Sequence, residues 1–145
     1  MMDKIRTSLE VGFADGKLPA RLAMYRGAAT RAIPLMVEFP FEDGQFDVVL
    51  MDGASVSNNS IKEAHRVLKP EGRLLFIVPE RMRWQAGYTL AEVYAVVRDG
   101  FHIIQLERPS WWFLRRSGRT FTIIARKKNW RTTKCHSFRP SCWPR

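Results

Sequence analysis

Residues Phe39–Pro79 read FPFEDGQFDVVLMDGASVSNNSIKEAHRVLKPEGRLLFIVP, and this stretch decides the fold. Phe46–Met51 is a continuous apolar, β-branched run, bounded by Asp43-Gly44 before it and Asp52-Gly53 after it. Such continuity suits a central strand covered on both faces. Ser60 followed three residues later by Glu63 has the spacing of a capping box. Ile61, Ala64, Val67 and Leu68 then recur at helical period until Pro70 and Gly72 stop the helix. Arg73–Val78 is a second apolar strand, ended by Pro79. The unit is strand, helix, strand, and the rule for such units makes the strands parallel and the crossover right-handed.

Working outward, Thr89 and Glu92 form another capping-box pair, and Leu90, Val93, Val96 and Val97 give an apolar helix face ended by Asp99-Gly100. Phe101–Leu106 and Thr120–Ala125 read as strands, close enough in sequence to pair antiparallel. Before the deciding stretch, Ile5, Leu9 and Phe13 stand four residues apart and predict a helix over 3–13, ended by Asp15-Gly16. Leu18–Tyr25 reads as a short strand closed by Arg26-Gly27-Ala28-Ala29. Strands alternating with helices predict an α/β domain with a mostly parallel sheet and an antiparallel last strand.

At 145 residues with 46% hydrophobic and 26% charged residues, the chain is sized for one folded domain. No run approaches the ~18 apolar residues of a membrane span, and no apolar segment follows Met1–Glu10, so the expected location is cytoplasmic. The net charge is +10, yet residues 1–114 carry as many acids as bases. Residues 115–145 hold all of the excess, with ten Lys or Arg and no acid. No Ala, Val, Ile, Leu or Met follows Ala125, so 127–145 reads as a basic, disordered tail. Cys135-His136 and Cys142 lie there without the paired spacing of a zinc site, and no metal is expected. Trp111-Trp112-Phe113 beside Arg115-Arg116 has a composition able to stack on single-stranded nucleic acid, but it equally frames a pocket or covers a sheet edge.

Phe39–Val49 (FPFEDGQFDVV) resembles the LPFPDNSFDVV stretch that enters the fourth strand of class I S-adenosylmethionine-dependent methyltransferases. Ala64–Leu75 (AHRVLKPEGRLL) resembles the REIHRVLKPGGRLL that leads into the fifth strand. Both blocks stand in the family's order and near its usual separation. The resemblance continues over about 3–126, with Leu9-Glu10-Val11 through Leu22 and Gly27-Ala28-Ala29 similar to the family's second helix and third strand. Ala28 stands where relatives often carry an Asp that accepts from the adenine amino group.

The resemblance implies an incomplete Rossmann-like methyltransferase fold over 1–126. The first strand, the glycine loop and the second strand are expected to be missing from the start of the chain. Removing them from the family's sheet order, 3-2-1-4-5-7-6, predicts an open edge at the Phe46–Met51 strand, or the Leu18–Tyr25 strand moved in beside it. The implied cofactor is S-adenosylmethionine, weakly bound or lost. Its expected contacts are Asp3, Gly27, Ala28, Asp52 and Gly53; Ser55 and Trp112 are expected on the substrate side, with no general base. His65, Arg66, Lys69 and Arg73 read as packing and structural residues. The implied function is methyl transfer to an unidentified acceptor. The alternatives are a non-catalytic remnant that binds a partner chain at the open edge or nucleic acid through the tail, and a truncated chain with no independent role.

Overall fold

The computed structural model describes residues 5–13, 18, 20–53, 56–79, 87–107 and 120–128. They form one six-stranded sheet with three helices. The elements are β1 (Thr7–Val11), α1 (Ala20–Ala23), β2 (Ala29–Ile33), β3 (Phe46–Asp52), α2 (Asn58–Val67), β4 (Leu68–Pro79), α3 (Leu90–Val97), β5 (Phe101–Glu107) and β6 (Thr120–Lys127). The strand order is β2-β1-β3-β4-β6-β5. The first four strands are parallel, and β6 pairs antiparallel with both β4 and β5.

The expected centre of the fold is present. Along β3, Phe46, Val48, Val49, Leu50 and Met51 are all buried, because each face of the strand is covered. Val49 and Met51 join a large core with Leu9, Val11, Leu74, Phe76, Val78, Ile61 and Val93; Val48 and Leu50 face Leu22, Leu75 and Ile124. The Thr89–Glu92 capping box caps α3 as expected. For α2 the cap lies one turn earlier than expected: Ser57 is the N-cap, and Ser60 closes the box with it. Glu63 is free for another task because a serine at the third helical position does the reciprocal work. Glu71 holds φ 67° at the place where the resembling KPGG segment has glycine.

Three expectations are corrected. Residues 7–11 are a strand, not part of a helix, and Leu18–Tyr25 contains the helical turn α1, not a strand. Leu9 and Val11 are both fully buried while Ser8 and Glu10 take the other face, so the operative period is two. The helical spacing of Ile5, Leu9 and Phe13 loses because β3 needs a backbone partner. Asp47 supplies the anchor: Oδ2 accepts from the N–H groups of Arg6 and Thr7, both at 3.0 Å, and Lys69 approaches Oδ1 at 3.3 Å. Burial raises the Asp47 pKa, but these donors more than offset it and hold the carboxyl below its ordinary range.

The second correction concerns the edge. The Phe46–Met51 strand is not left open: β1 lies beside β3, β2 lies beyond β1, and among the described residues the sheet ends at β2. The third concerns the tail boundary. β6 runs through Lys127, whose Nζ donates to the Leu68 carbonyl at 2.7 Å, and Lys128 N–H donates to the Gly100 carbonyl. Backbone pairing extends the domain past the last aliphatic residue.

His65 is a packing residue of α2, edge-on to Phe101 with ring centroids 5.4 Å apart. Burial, and secondarily the Lys127 charge, push its pKa down to about 4. A base whose folded pKa is depressed stabilises the fold fully above its unfolded value, and that contribution is lost as pH falls from about 6.5 towards 4. Thermal melting is therefore expected to weaken across that window. Discounted for partial exposure, the loss should be about 1 kcal/mol and absent in His65→Gln. A variant whose pH profile matches that of the wild type would remove His65 from this role.

Candidate functional site

Parallel strands end their carboxyl termini on one edge of the sheet, and the register sets which residues meet there. Val11 pairs with both Ile33 and Met51, and Asp52 pairs with Ile77. Gly12, Pro34 and Asp52-Gly53 therefore stand together just beyond β1, β2 and β3. Open α/β sheets place ligands on this edge.

Gly12 turns the chain out of β1 with φ 83°, a conformation that favours glycine, and donates its N–H to the Ile33 carbonyl at 3.0 Å. Gly53 is required for a different reason. A Cβ there would stand 2.2 Å from the Ile77 carbonyl oxygen and 2.8 Å from Val78 Cα. The end of β3 lies directly against the backbone of β4, leaving the Asp52 side chain, half-buried, as the carboxylate on this rim. Val56 N–H donates to the Gly53 carbonyl, and the Tyr88 hydroxyl donates to the Val56 carbonyl at 3.5 Å. The half-buried Tyr88 thus closes the rim on the side of β4.

The other expected cofactor contacts lie elsewhere. Gly27 N–H donates to Ser8 Oγ at 3.0 Å, and Ala29 N–H donates to the Arg6 carbonyl. Gly27 and Ala28 are thus at the amino-terminal edge of the sheet, one strand length, or roughly 16 Å, from Asp52 and Gly53. The structure brings Asp52 and Gly53 together and keeps Gly27 and Ala28 away from them. The physical reason is the helix–strand exchange above: with α1 in place of a strand, residues 27–28 lead into β2 instead of leaving one. Asp3, Ser55 and Trp112 lie outside the described residues, as do Cys135, His136 and Cys142. Among the described residues, no three His, Cys, Asp or Glu side chains form a metal-binding group.

Sequence reasoning missed Gly12, Phe13, Val56 and Tyr88. The available signal was the alternation of Ser8 and Glu10 with Leu9 and Val11, followed at once by glycine, which fits a strand and turn as well as the four-residue spacing fits a helix. Glu10, two residues before Gly12, is fully buried and already engaged. Arg26 donates to both of its carboxylate oxygens, at 2.6 and 2.8 Å. That hydrogen bonding and charge raise the Arg26 pKa.

A clasp below β3 explains the other deciding motif. Arg66 donates to both oxygens of Glu63, to the carbonyls of Phe39 and Phe41, and to Asp43, all at 2.8–3.0 Å. Glu63 in turn accepts from Phe39 N–H at 2.8 Å. The pairing with Arg66 holds the Glu63 carboxyl below its ordinary range. Residues 39–44 are thereby fixed to α2, which agrees with Arg66 as a structural residue of the resembling segment.

Against known proteins, residues 34–76 match the family model described as "Methyltransferase domain". No curated protein matches the chain. The solved structures it is similar to include a SAM-dependent methyltransferase from Methanosarcina mazei, at 18% identity, with a TM-score of 0.64 and coverage of 87% of this chain and 94% of that one. Another is the 1,6-didemethyltoxoflavin-N1-methyltransferase of Burkholderia thailandensis, solved with bound 1,6-didemethyltoxoflavin and S-adenosylhomocysteine, at 18% identity, TM-score 0.61 and coverage of 87% and 72%. A third is the Haloferax volcanii complex of the Trm112 methyltransferase activator with a putative methyltransferase, at 14% identity, TM-score 0.64 and coverage of 88% and 84%. Among the described residues no helix is long and apolar enough to cross a membrane. The central segment thus matches a methyltransferase-domain model, and the sheet order goes with the fold of the SAM-dependent methyltransferase structures it is similar to.

Proposed function

We propose that the chain binds S-adenosylmethionine at the carboxyl-end rim formed by Gly12, Phe13, Asp52 and Gly53, and passes its methyl group to an acceptor held over the same edge. The observation that carries this reading is the Gly12 turn at the end of β1, level with Asp52. Such a turn lets backbone N–H groups approach a ligand without a side chain intervening. The bound cofactor would supply the electrophilic methyl group. The protein's part would be to orient it and keep water out, a positioning role that needs no general base.

The end of β2 reads Ile33-Pro34-Leu35 and offers no acid to the ribose hydroxyls. Losing one charged hydrogen bond weakens binding by about 1.5–3 kcal/mol, or one to two orders of magnitude. Isothermal titration is expected to give saturable binding with a Kd on the order of 0.1 mM, abolished in Gly12→Val. Heats indistinguishable from dilution at cofactor concentrations of several millimolar would overturn the reading.

The second reading, a chain that acts by holding a partner protein, is favoured by the edge of β2, which is unpaired among the described residues. The activator complex among its structural neighbours gives that reading a precedent. Two cations of the basic C-terminal region, Lys127 and Lys128, are tied to backbone carbonyls. Nucleic-acid binding would therefore rest on the remaining charges of the tail.

A further inference from the structure

Four residues beyond the end of β2, the chain is tied to the first turn of α2. Asn59 Nδ2 donates to the Val37 carbonyl at 2.6 Å, and this bond fixes which way the amide faces. Asn59 is exposed, and Oδ1, the acceptor half of its amide, takes no hydrogen bond from any described residue. The tied segment starts at the rim. The Ile33 carbonyl accepts from Gly12 N–H, so Val37 stands within four residues, or roughly 14 Å, of the Gly12 turn. Asn59 is reached from the other side, where Asp52 and Gly53 end β3 and Val56 N–H holds the Gly53 carbonyl just ahead of the Ser57 cap. Residues 34–37 and the start of α2 thus frame the rim on the side of the larger core. Met36 packs on that core, which leaves its neighbours Leu35 and Val37 49% and 80% exposed.

We infer that this strap holds the purine of S-adenosylmethionine, with Leu35 and Val37 against its apolar surface and Asn59 Oδ1 accepting from its exocyclic amino group. The inference rests on cofactor binding at the rim and adds how the base is read. Charge sets the direction in which the cofactor lies. Its ammonium and sulfonium groups are drawn to the Asp52 carboxylate, whereas its purine is neutral and gains from apolar contact. Leu35 and Val37 offer that contact on the β2 side, and the amide acceptor beside them matches the N–H donors of the amino group. Other acceptors are engaged or placed elsewhere. Ala28, the position that resemblance assigned to adenine, has no acceptor side chain and follows Gly27 at the amino-terminal edge. The Ser57 hydroxyl is committed to the cap of α2. The Glu38 carboxylate lines the cavity of Arg31, Phe41, Glu42 and Gln45, to which neither Val37 nor Asn59 contributes.

The test is isothermal titration of the full-length chain with S-adenosylhomocysteine and with S-inosylhomocysteine, in which a carbonyl replaces the amino group. An acceptor of the protein then meets an acceptor of the ligand, an exchange that a hydrogen-bonding site rejects. The wild type is expected to bind the adenosine compound about tenfold more tightly. Asn59→Ala should bring the two affinities to within about twofold of each other. A loss of strap position alone would instead weaken both and leave their ratio unchanged. Asn58→Ala removes the neighbouring exposed amide and should keep the wild-type ratio. Should Asn59→Ala bind neither compound, Asn59→Asp decides: it retains an acceptor and is expected to bind with the wild-type preference. A wild-type chain that binds both compounds equally, an Asn59→Ala chain that keeps the preference, or an Asn59→Asp chain without it would overturn the inference. Wild-type binding of neither compound at several millimolar would overturn the rim reading on which it rests, so the two failures are distinguishable.

Discussion

Gly53→Ala is expected to destabilise the protein by about 3 kcal/mol, at the upper end of the overpacking range. The atoms a methyl group would meet are the Ile77 carbonyl oxygen at 2.2 Å and Val78 Cα at 2.8 Å, and both belong to the backbone of β4. A side chain could rotate away, but a central strand cannot, since β4 is hydrogen-bonded to β3 on one side and β6 on the other. Urea unfolding should show a lower midpoint with an unchanged slope, the signature of a strained native state. A loss below about 1 kcal/mol would mean that β4 yields more easily than its pairing implies. Because Gly53 adjoins Asp52 on the rim, the same variant should also weaken cofactor binding under conditions where it remains folded.

Arg66→Ala should cost a similar amount, about 3 kcal/mol, through a different mechanism. The Phe41 carbonyl loses its Arg66 donor, the Phe39 carbonyl keeps only Phe41 N–H, and Glu63, whose side chain is 15% exposed, loses its bidentate partner. The segment from Phe39 to Gly44 would then be held to α2 by the Phe39 N–H bond to Glu63 and the Gly44 N–H bond to the Arg66 carbonyl. Arg66→Lys should recover only part of the loss, because an ammonium cannot span the carboxylate and both carbonyls as the planar fork does. The pH dependence carries a sign check. Glu63 has a lowered folded pKa, so its pairing stabilises above the unfolded value near 4.3, and this is lost as pH falls through the folded value. The gap between wild type and Arg66→Ala should therefore narrow in acid. A gap that stays constant from neutral pH to pH about 3 would show that the lost carbonyl bonds, not the ion pair, carry the effect.

Legibility in the sequence followed the density of local signals. Phe46–Met51 and Arg73–Val78 declared themselves because both strands are covered on two faces, and the Thr89–Glu92 box placed α3 to the residue. The antiparallel end of the sheet was readable from the short connection between Phe101–Leu106 and Thr120–Ala125. The amino-terminal third was not. Ile5, Leu9, Val11 and Phe13 satisfy a helical and an extended period at once, and Pro19 near a short apolar run mimics a strand entry. Only Asp52 and Gly53 of the described site candidates lie on the carboxyl-end rim. Gly27 and Ala28 were assigned through a strand that the structure replaces with α1.

By itself, then, the amino-acid sequence determined the β3–α2–β4 unit, the closing antiparallel strands and the central methyltransferase-like segment. Each depends on contacts or motifs that are local along the chain: capping pairs, apolar runs and the FPFEDGQFDVV and HRVLKPEGRLL segments. Tertiary structure alone decided that Thr7–Val11 lies beside β3, that β2 is the outermost of the described strands, and that Gly12 turns at the rim where Asp52 stands. The physical reason is that a strand is completed by its neighbour. The hydrogen bonds that made residues 7–11 extended belong to Asp47, 40 residues away, and to β2 and β3 on either side.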